Sequence, residues 1–257
     1  MRILQVSAEI FPLLKTGGLA DIAGALPAAL QEAGCDVRVM LPGFPAICAG
    51  LDGAVPVGSF AMPWGERVEV VYGTLPALAR EGRTLGAYVL IAPGLYDRPG
   101  NPYEDANKQA YGDNHRRFAA LGLAAAHVAH GLDAQWRPQL VHSHDWHAAL
   151  APASLALWNE GRGPHVPSVY TVHNLAYQGV FGPEHFGDLG LPGRAFHVHG
   201  MEFHGQLSFM KAGLFYANHV TTVSPTYAHE IQGPEQGCGL DGLLRARHQP
   251  GGQRPAH

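Results

Sequence analysis

Cysteine is scarce in this chain. Three occur among 257 residues, Cys35, Cys48 and Cys238. The number is odd and no CxxC spacing is present, which argues against a disulfide framework and a thiolate zinc site and makes a reducing cytoplasm the expected setting. Charge of one sign is scarce as well: 17 Lys and Arg against 21 Asp and Glu leave a net charge of -4. That balance argues against nonspecific nucleic-acid binding and against anchoring to an anionic membrane. No apolar run is long enough to cross a bilayer, and Arg2 leads directly into strand-like sequence instead of a signal core. The dinucleotide pattern G-x-G-x-x-G and the Walker pattern G-x-x-x-x-G-K-[ST] do not follow the first strand. A nicotinamide enzyme or a P-loop ATPase is therefore not expected, and no cofactor is implied.

What is present suits a globular α/β protein. With 46% hydrophobic and 15% charged residues, the chain can bury a large core. Arg2 to Ala8 is a short apolar run with β-branched members, the pattern of a buried parallel strand. Leu19, Ile22, Ala23, Leu26 and Leu30 then recur at helical spacing, Gly34 stands where a C-terminal cap belongs, and Asp36 to Leu41 reads as the next strand. Pro27 predicts a kink or a displaced start, because it removes one amide and crowds the carbonyl four residues back. Lys15, Gly17 and Gly18 lie where this helix begins. Unpaired amides, a favourable dipole and a mobile ammonium together make a receptor for an anion such as a diphosphate. A flexible glycine turn is the plainer alternative.

Further strands are expected at Val68 to Tyr72, Ala87 to Ile91, Leu140 to His142, Ser168 to Val172 and Val220 to Val223. Their alternation with helical stretches predicts a Rossmann-like, doubly wound, mostly parallel sheet. The longest helix is expected between Asp105 and Leu132, with Phe118, Leu121, Ala125, Val128 and Leu132 as one apolar stripe. Pro42 to Pro56 and Pro93 to Pro102 read as loops beyond strand ends, where open α/β sheets bind ligands. Ser208 to Ala217 reads as a helix, and Ser224-Pro225 as a capped helix start.

Two polar clusters follow strands. In His142-Ser143-His144-Asp145-Trp146-His147, three histidines and an aspartate could hold a metal, though without a characteristic spacing; Asp145 could instead cap the following helix. In His173-Asn174 the histidine can donate to a sugar hydroxyl, and the asparagine amide can donate and accept. A third group, His197, His199 and His204, reads as a loop or interface.

These motifs together resemble bacterial glycogen synthases and plant starch synthases that use ADP-glucose. The likeness is carried by Ser7-Ala8-Glu9 with Lys15-Thr16-Gly17-Gly18-Leu19-Ala20-Asp21, by His142 to His147, by Thr171-Val172-His173-Asn174-Leu175-Ala176-Tyr177-Gln178-Gly179, and by Val223-Ser224-Pro225-Thr226-Tyr227. The resemblance implies the N-terminal half of a GT-B architecture, with residues 1–244 as its Rossmann-like domain. It implies that Lys15 contacts the donor phosphates, that Gly17 and Gly18 let the backbone approach the donor, and that His173 and Asn174 lie near the transferred glucose. It also implies Asp145 at the reaction cleft, with Asp21 and Tyr96 on its lining. The implied reaction adds a glucosyl unit from ADP-glucose to the nonreducing end of an α-1,4-glucan (glycogen) with retention, without a required metal.

Cys238 stands where the family has glycine, and the likeness ends after Arg245. Residues 245–257 are expected to be a divergent, disordered tail and the C-terminal GT-B domain to be absent, so that this chain would be inactive alone and would need that domain as a separate partner. Two other readings stay open: a noncatalytic glucan-binding or interaction module, and a metal-dependent hydrolase centred on His142, His144, Asp145 and His147.

Overall fold

The computed structural model describes residues 1–158 and 165–248. Its strands are β1 (Arg2–Val6), β2 (Asp36–Pro42), β3 (Asp52–Ala61), β4 (Arg67–Thr74), β5 (Gly86–Ile91), β6 (Leu140–His144), β7 (Ser168–Val172), β8 (Val180–Phe181), β9 (Glu202–Phe203), β10 (Gln206–Ser208) and β11 (His219–Thr222). Its helices are α1 (Gly18–Glu32), α2 (Pro45–Ala49), α3 (Pro93–Tyr96), α4 (Asn114–Ala129), α5 (Asp145–Ala148), α6 (Leu150–Leu157), α7 (Phe209–Tyr216), α8 (Pro225–Glu230) and α9 (Asp241–His248).

Eight strands form one sheet in the order β11-β7-β6-β1-β2-β5-β4-β3. The six from β11 to β5 are parallel, and β4 and β3 extend the far edge antiparallel. From β1 the chain builds outward to β2 and β5, then returns to the other side of β1 for β6, β7 and β11. The β1–β6 boundary is therefore the switch point, outside whose carboxyl ends an open α/β sheet leaves a crevice.

Strand placement follows the apolar runs closely, but several features were not expected, among them α3 at the start of the segment Pro93 to Pro102 read as loop. The segment read as loop from Pro42 to Pro56 contains α2 and the first half of β3. As an edge strand largely open to solvent, β3 lacks the apolar signature of the inner strands and tolerates Pro56. A second sheet, β8-β10-β9, is made of strands of two or three residues, too short for any periodicity. The α4 helix is shorter than expected and buried almost all round instead of along one stripe, because it touches β1, β2, α6 and the 3-10 stretch Pro183–Leu189 together.

The expected tail begins too early. Helix α9 continues past 244; Arg245 pairs with Asp241 at 2.8 Å, and Arg247 Nη2 donates to the carbonyls of Ala217 and Asn218. Residues 249–257 lie outside the described residues.

Pro27 sits inside α1, which runs unbroken. Proline withholds the amide that would bond to the carbonyl of Ala23. The buried side chain of Gln5, on β1, donates from Nε2 to that same carbonyl at 2.8 Å. A strand residue thus supplies the donor that the helix lacks, which explains a fully buried amide in an otherwise apolar strand. The helix ends as expected, with the amides of Gly34 and Cys35 bonded back to the carbonyls of Gln31 and Leu30.

This arrangement makes a coupled prediction. Gln5→Leu orphans the Ala23 carbonyl and should destabilise the chain by about 1–3 kcal/mol. Adding Pro27→Ala in that background restores an amide donor and should recover part of the loss. Urea unfolding of the two single variants and the double variant measures the coupling, and strictly additive effects would refute it.

Candidate functional site at the carboxyl edge of the sheet

The site begins with a buried carboxylate. Glu9 lies just past β1 at 2% exposure. It accepts from the Thr16 amide and the Thr16 hydroxyl, each at 2.5 Å, and from the Tyr103 hydroxyl. Burial and the adjacent Glu9 raise the Tyr103 phenol well above its ordinary pKa, so it stays a donor. Three donors on one carboxylate fix the loop that precedes α1.

Lys15, Gly17 and Gly18 therefore stand at a defined place. Gly17 is the N-cap of α1 and supplies no side-chain acceptor to the first-turn amides. A Cβ built on Gly17 or Gly18 would meet nothing within 4 Å, and the Gly17 backbone at φ -152 is extended. Neither packing nor conformation demands glycine there, so what the missing side chains leave is open approach to the amides. Gly24, nearly two turns further on, is different: a Cβ would lie 2.3 Å from the Phe11 carbonyl oxygen, so the loop is laid directly against the helix.

The Lys15 ammonium is not free, as the sequence suggested. It pairs with both oxygens of Asp21 at 2.7 Å, and both side chains are about half exposed at 45% and 49%. A pair in such contact with water contributes roughly 0–1 kcal/mol, little enough for an incoming anion to displace Asp21. Tyr96 departs further from expectation. It is 1% exposed and its hydroxyl donates to the Arg117 carbonyl at 2.7 Å, so its side chain is interior scaffold beneath the edge and does not line it.

The second half of the site joins β6 to β7. Asp145 is the first residue of α5 and adopts φ +55, the left-handed region that aspartate tolerates better than most residues. It does not cap that helix, because His144 holds the cap position. Its Oδ1 accepts instead from the amides of His173 at 2.8 Å and Asn174 at 3.4 Å. Burial pushes the Asp145 carboxyl up to about 6, with the two amides opposing the shift. The Asn174 Oδ1 accepts from the Ala176 amide at 3.0 Å, so its side chain offers an external ligand chiefly donors. Tyr227 fixes the next residue, its hydroxyl accepting from the Leu175 amide at 2.9 Å. Helix α8, which carries Tyr227, starts as expected, with Ser224 Oγ accepting from the Tyr227 amide.

The histidines form a layer beneath this edge. His142 Nε2 meets Thr171 Oγ1 at 2.7 Å, and His144 Nδ1 meets His173 Nε2 at 3.0 Å. His147 stacks on Tyr103 at 4.6 Å between ring centres. Burial lowers His142 and His173 to about 4, His147 to about 3, and His144 well below its ordinary value. All four are uncharged at neutral pH. His144 Nε2 is buried without a partner. A proton there would be an orphaned donor, so hydrogen bonding assigns the proton to Nδ1, donating to His173 Nε2. The His173 proton then resides on Nδ1, which makes that nitrogen a donor. His142, His144, Asp145 and His147 do not converge as a ligand set among the described residues.

The sheet edge thus brings Lys15, Gly17, Gly18 and Asp21 to the end of β1, and Asp145, His173 and Asn174 to the ends of β6 and β7, on either side of the switch point. The family profile of the starch synthase catalytic domain matches residues 2–246. The chain belongs to the starch synthase catalytic domain family. Curated relatives of this chain include the glycogen synthases of Variovorax paradoxus (strain S110), 64% identical over 96% of this chain and 50% of that protein, and of Leptothrix cholodnii, 59% identical over 96% and 51%. The catalytic domain of starch synthase IV from Arabidopsis thaliana, solved bound to ADP and acarbose, superposes with a TM-score of 0.77 at 26% identity, covering 95% of this chain and 49% of that one. The chain spans about half the length of the relatives it matches.

Sequence reasoning quoted Glu9 and Thr16 within a motif but gave them no role, and it missed Tyr103. A carboxylate directly after an apolar strand was a usable signal for Glu9, whereas nothing local marks Tyr103, 94 residues away. Cys238, at φ +50, occupies a conformation that favours glycine, a physical reason for the glycine that family resemblance places there.

The histidine layer predicts acid sensitivity. A histidine whose folded pKa lies below its unfolded value of about 6.5 loses stability as pH falls through that window, because the unfolded chain takes up the proton first. Asp145 acts oppositely, contributing stability at low pH that is lost as pH rises through about 6. Four histidines outweigh one carboxyl, so this edge weakens between pH 6.5 and 4. His147→Phe keeps the ring packing and removes one titration; it should flatten the dependence by up to about 1.4 kcal/mol per pH unit. Urea unfolding between pH 7 and 5 measures this, and parallel curves for the two proteins would contradict it.

Proposed function

We propose that this chain is the donor- and sugar-facing half of an ADP-glucose-dependent glucan synthase that extends the nonreducing end of an α-1,4-glucan such as glycogen with retention. The observation that carries the reading is the first turn of α1. Amides without a side-chain cap, two glycines that leave the approach open, and an exposed ammonium held by Asp21 over the Phe11 ring stand together at the switch point. The Arabidopsis neighbour solved bound to ADP and acarbose supports the choice of anion and of sugar.

In this reading the diphosphate of the donor takes the place of Asp21 on Lys15 and accepts from the α1 amides. Charge growing on the departing ADP is then met by groups already oriented for it. His173 contributes an uncharged Nδ1–H donor, and Asn174 its amide, to hydroxyls of the transferred glucose. Asp145 acts as a positioning residue, because its carboxylate holds the amides of the His173–Asn174 turn. The reaction needs no metal in this scheme. Catalysis requires the half that this chain does not span, as a separate or continuous domain, and free thiols at all three cysteines agree with a cytoplasmic setting.

Combining this chain with a separately expressed C-terminal half of a curated relative should give glucose incorporation into glycogen from ADP-glucose. Lys15→Ala should lower kcat/KM about tenfold to a hundredfold, the loss of a charge-assisted phosphate contact of roughly 1.5–3 kcal/mol. Unchanged donor kinetics in that variant would remove Lys15 from the role. Equal incorporation by this chain alone would show that the second half is dispensable.

A further inference from the structure

A second cluster lies away from the sheet-edge site. Among the described residues, His115, His185 and Asp188 are the group of three potential metal ligands whose donor atoms all lie within 4.8 Å of one another. His115 comes from the first turn of α4; His185 and Asp188 come from the 3-10 stretch Pro183–Leu189. His115 Nε2 stands 3.0 Å from Asp188 Oδ2, with side-chain exposures of 4% and 20%. The His185 ring stacks on His115, centres 3.9 Å apart, and Phe181 packs against His115 from another side at 5.7 Å.

Charge pairing alone does not account for both imidazoles. Arg116 Nε already donates to Asp188 Oδ2 at 2.7 Å, which supplies that carboxylate with a permanent cation. His185 Nε2 has Glu184 at 3.6 Å, beyond hydrogen-bond reach. Two imidazoles and one carboxylate form the nitrogen and oxygen donor set that suits zinc and its neighbours in the first transition row. Two bonds of about 2.1 Å at the tetrahedral angle put their donor atoms about 3.4 Å apart, so the 3.0 Å between His115 Nε2 and Asp188 Oδ2 has to open only slightly to admit an ion. His185 would turn out of its stack to complete the set, which its partly exposed position at the rim allows. Arg116 would remain on the carboxylate as the outer partner that orients a ligating group.

We propose that His115, His185 and Asp188 bind one divalent transition ion of the zinc class, with water or Glu184 in the remaining position. The ion would fasten the 183–189 turn to α4. That turn belongs to the same excursion between β7 and α7 whose first loop carries His173 and Asn174, so metal binding would steady this excursion without entering the reaction.

The test is calorimetry with Zn2+ on chelator-treated chain, paired with Co2+ titration read by visible absorption. One ion per chain should bind, with the Co2+ spectrum of a four- or five-coordinate nitrogen and oxygen site. His185→Gln and Asp188→Asn, both at the rim, should weaken binding by about a hundredfold, a scale that even outer partners of metal sites reach. The surface pair His197 and His199, with rings 5.6 Å apart, is the control for adventitious binding, and His197→Ala should leave the affinity unchanged. No saturable binding, or binding that survives both rim variants, would overturn the proposal. Binding lost only in His197→Ala would do so as well.

Discussion

The Glu9 carboxylate is the contact on which the site depends. A buried carboxylate without partners is strongly disfavoured, so Glu9 is tolerable only while Thr16 and Tyr103 donate to it. The requirement runs both ways. Satisfying Glu9 fixes Thr16, hence the position of Lys15 and the bare start of α1; it also fixes Tyr103, whose ring packs on Phe118 of α4 and on His147 of α5. One interior charge therefore ties β1, the anion-facing loop, the central helix and the histidine layer into a single unit.

The two sides of the switch point are built on different principles. On the β1 side the binding groups are exposed and lightly held, as the Lys15–Asp21 pair shows, so a ligand can exchange partners with them at small expense. On the β6–β7 side the groups are held by an interior network: Asp145 is committed to two amides, His144 to His173, and Tyr227 to Leu175, which leaves the His173 Nδ1–H and the Asn174 amide facing outward in set positions. The first side suits recognition of a charged leaving group, which must arrive and depart. The second suits orientation of neutral hydroxyls, where a small displacement of a donor forfeits most of its value.

Much of this was legible in the sequence. Apolar runs located the inner parallel strands, because residues buried on both faces leave a continuous signature, and the Ser224 cap was readable from chemistry within four residues, whereas Ser208, read as helix, proves to be the cap of α7. The proposed anion receptor could be picked out for the same reason, since Lys15, Gly17 and Gly18 are neighbours. What escaped depended on distance or on weak signals. The Gln5 amide that answers Pro27 lies 18 residues from Ala23, Tyr103 is remote from Glu9, and the short strands β8 to β10 have no period to detect. Tyr96 and Asp145 were placed at the edge by resemblance, yet only packing distinguishes a side chain that faces the crevice from one that supports it from beneath. His115, His185 and Asp188 escaped notice because the fold, not the sequence, brings them together.

The central claim is that an anion is received by the first-turn amides of α1 beside Lys15. Amide-resolved NMR of the isotopically labelled chain titrated with ADP tests this most directly. The account predicts that the largest shifts fall on Thr16, Gly17, Gly18 and Leu19, and that they vanish when Lys15 is replaced by alanine while the fold persists. Shifts centred elsewhere, with these four amides unmoved at saturation, would contradict it.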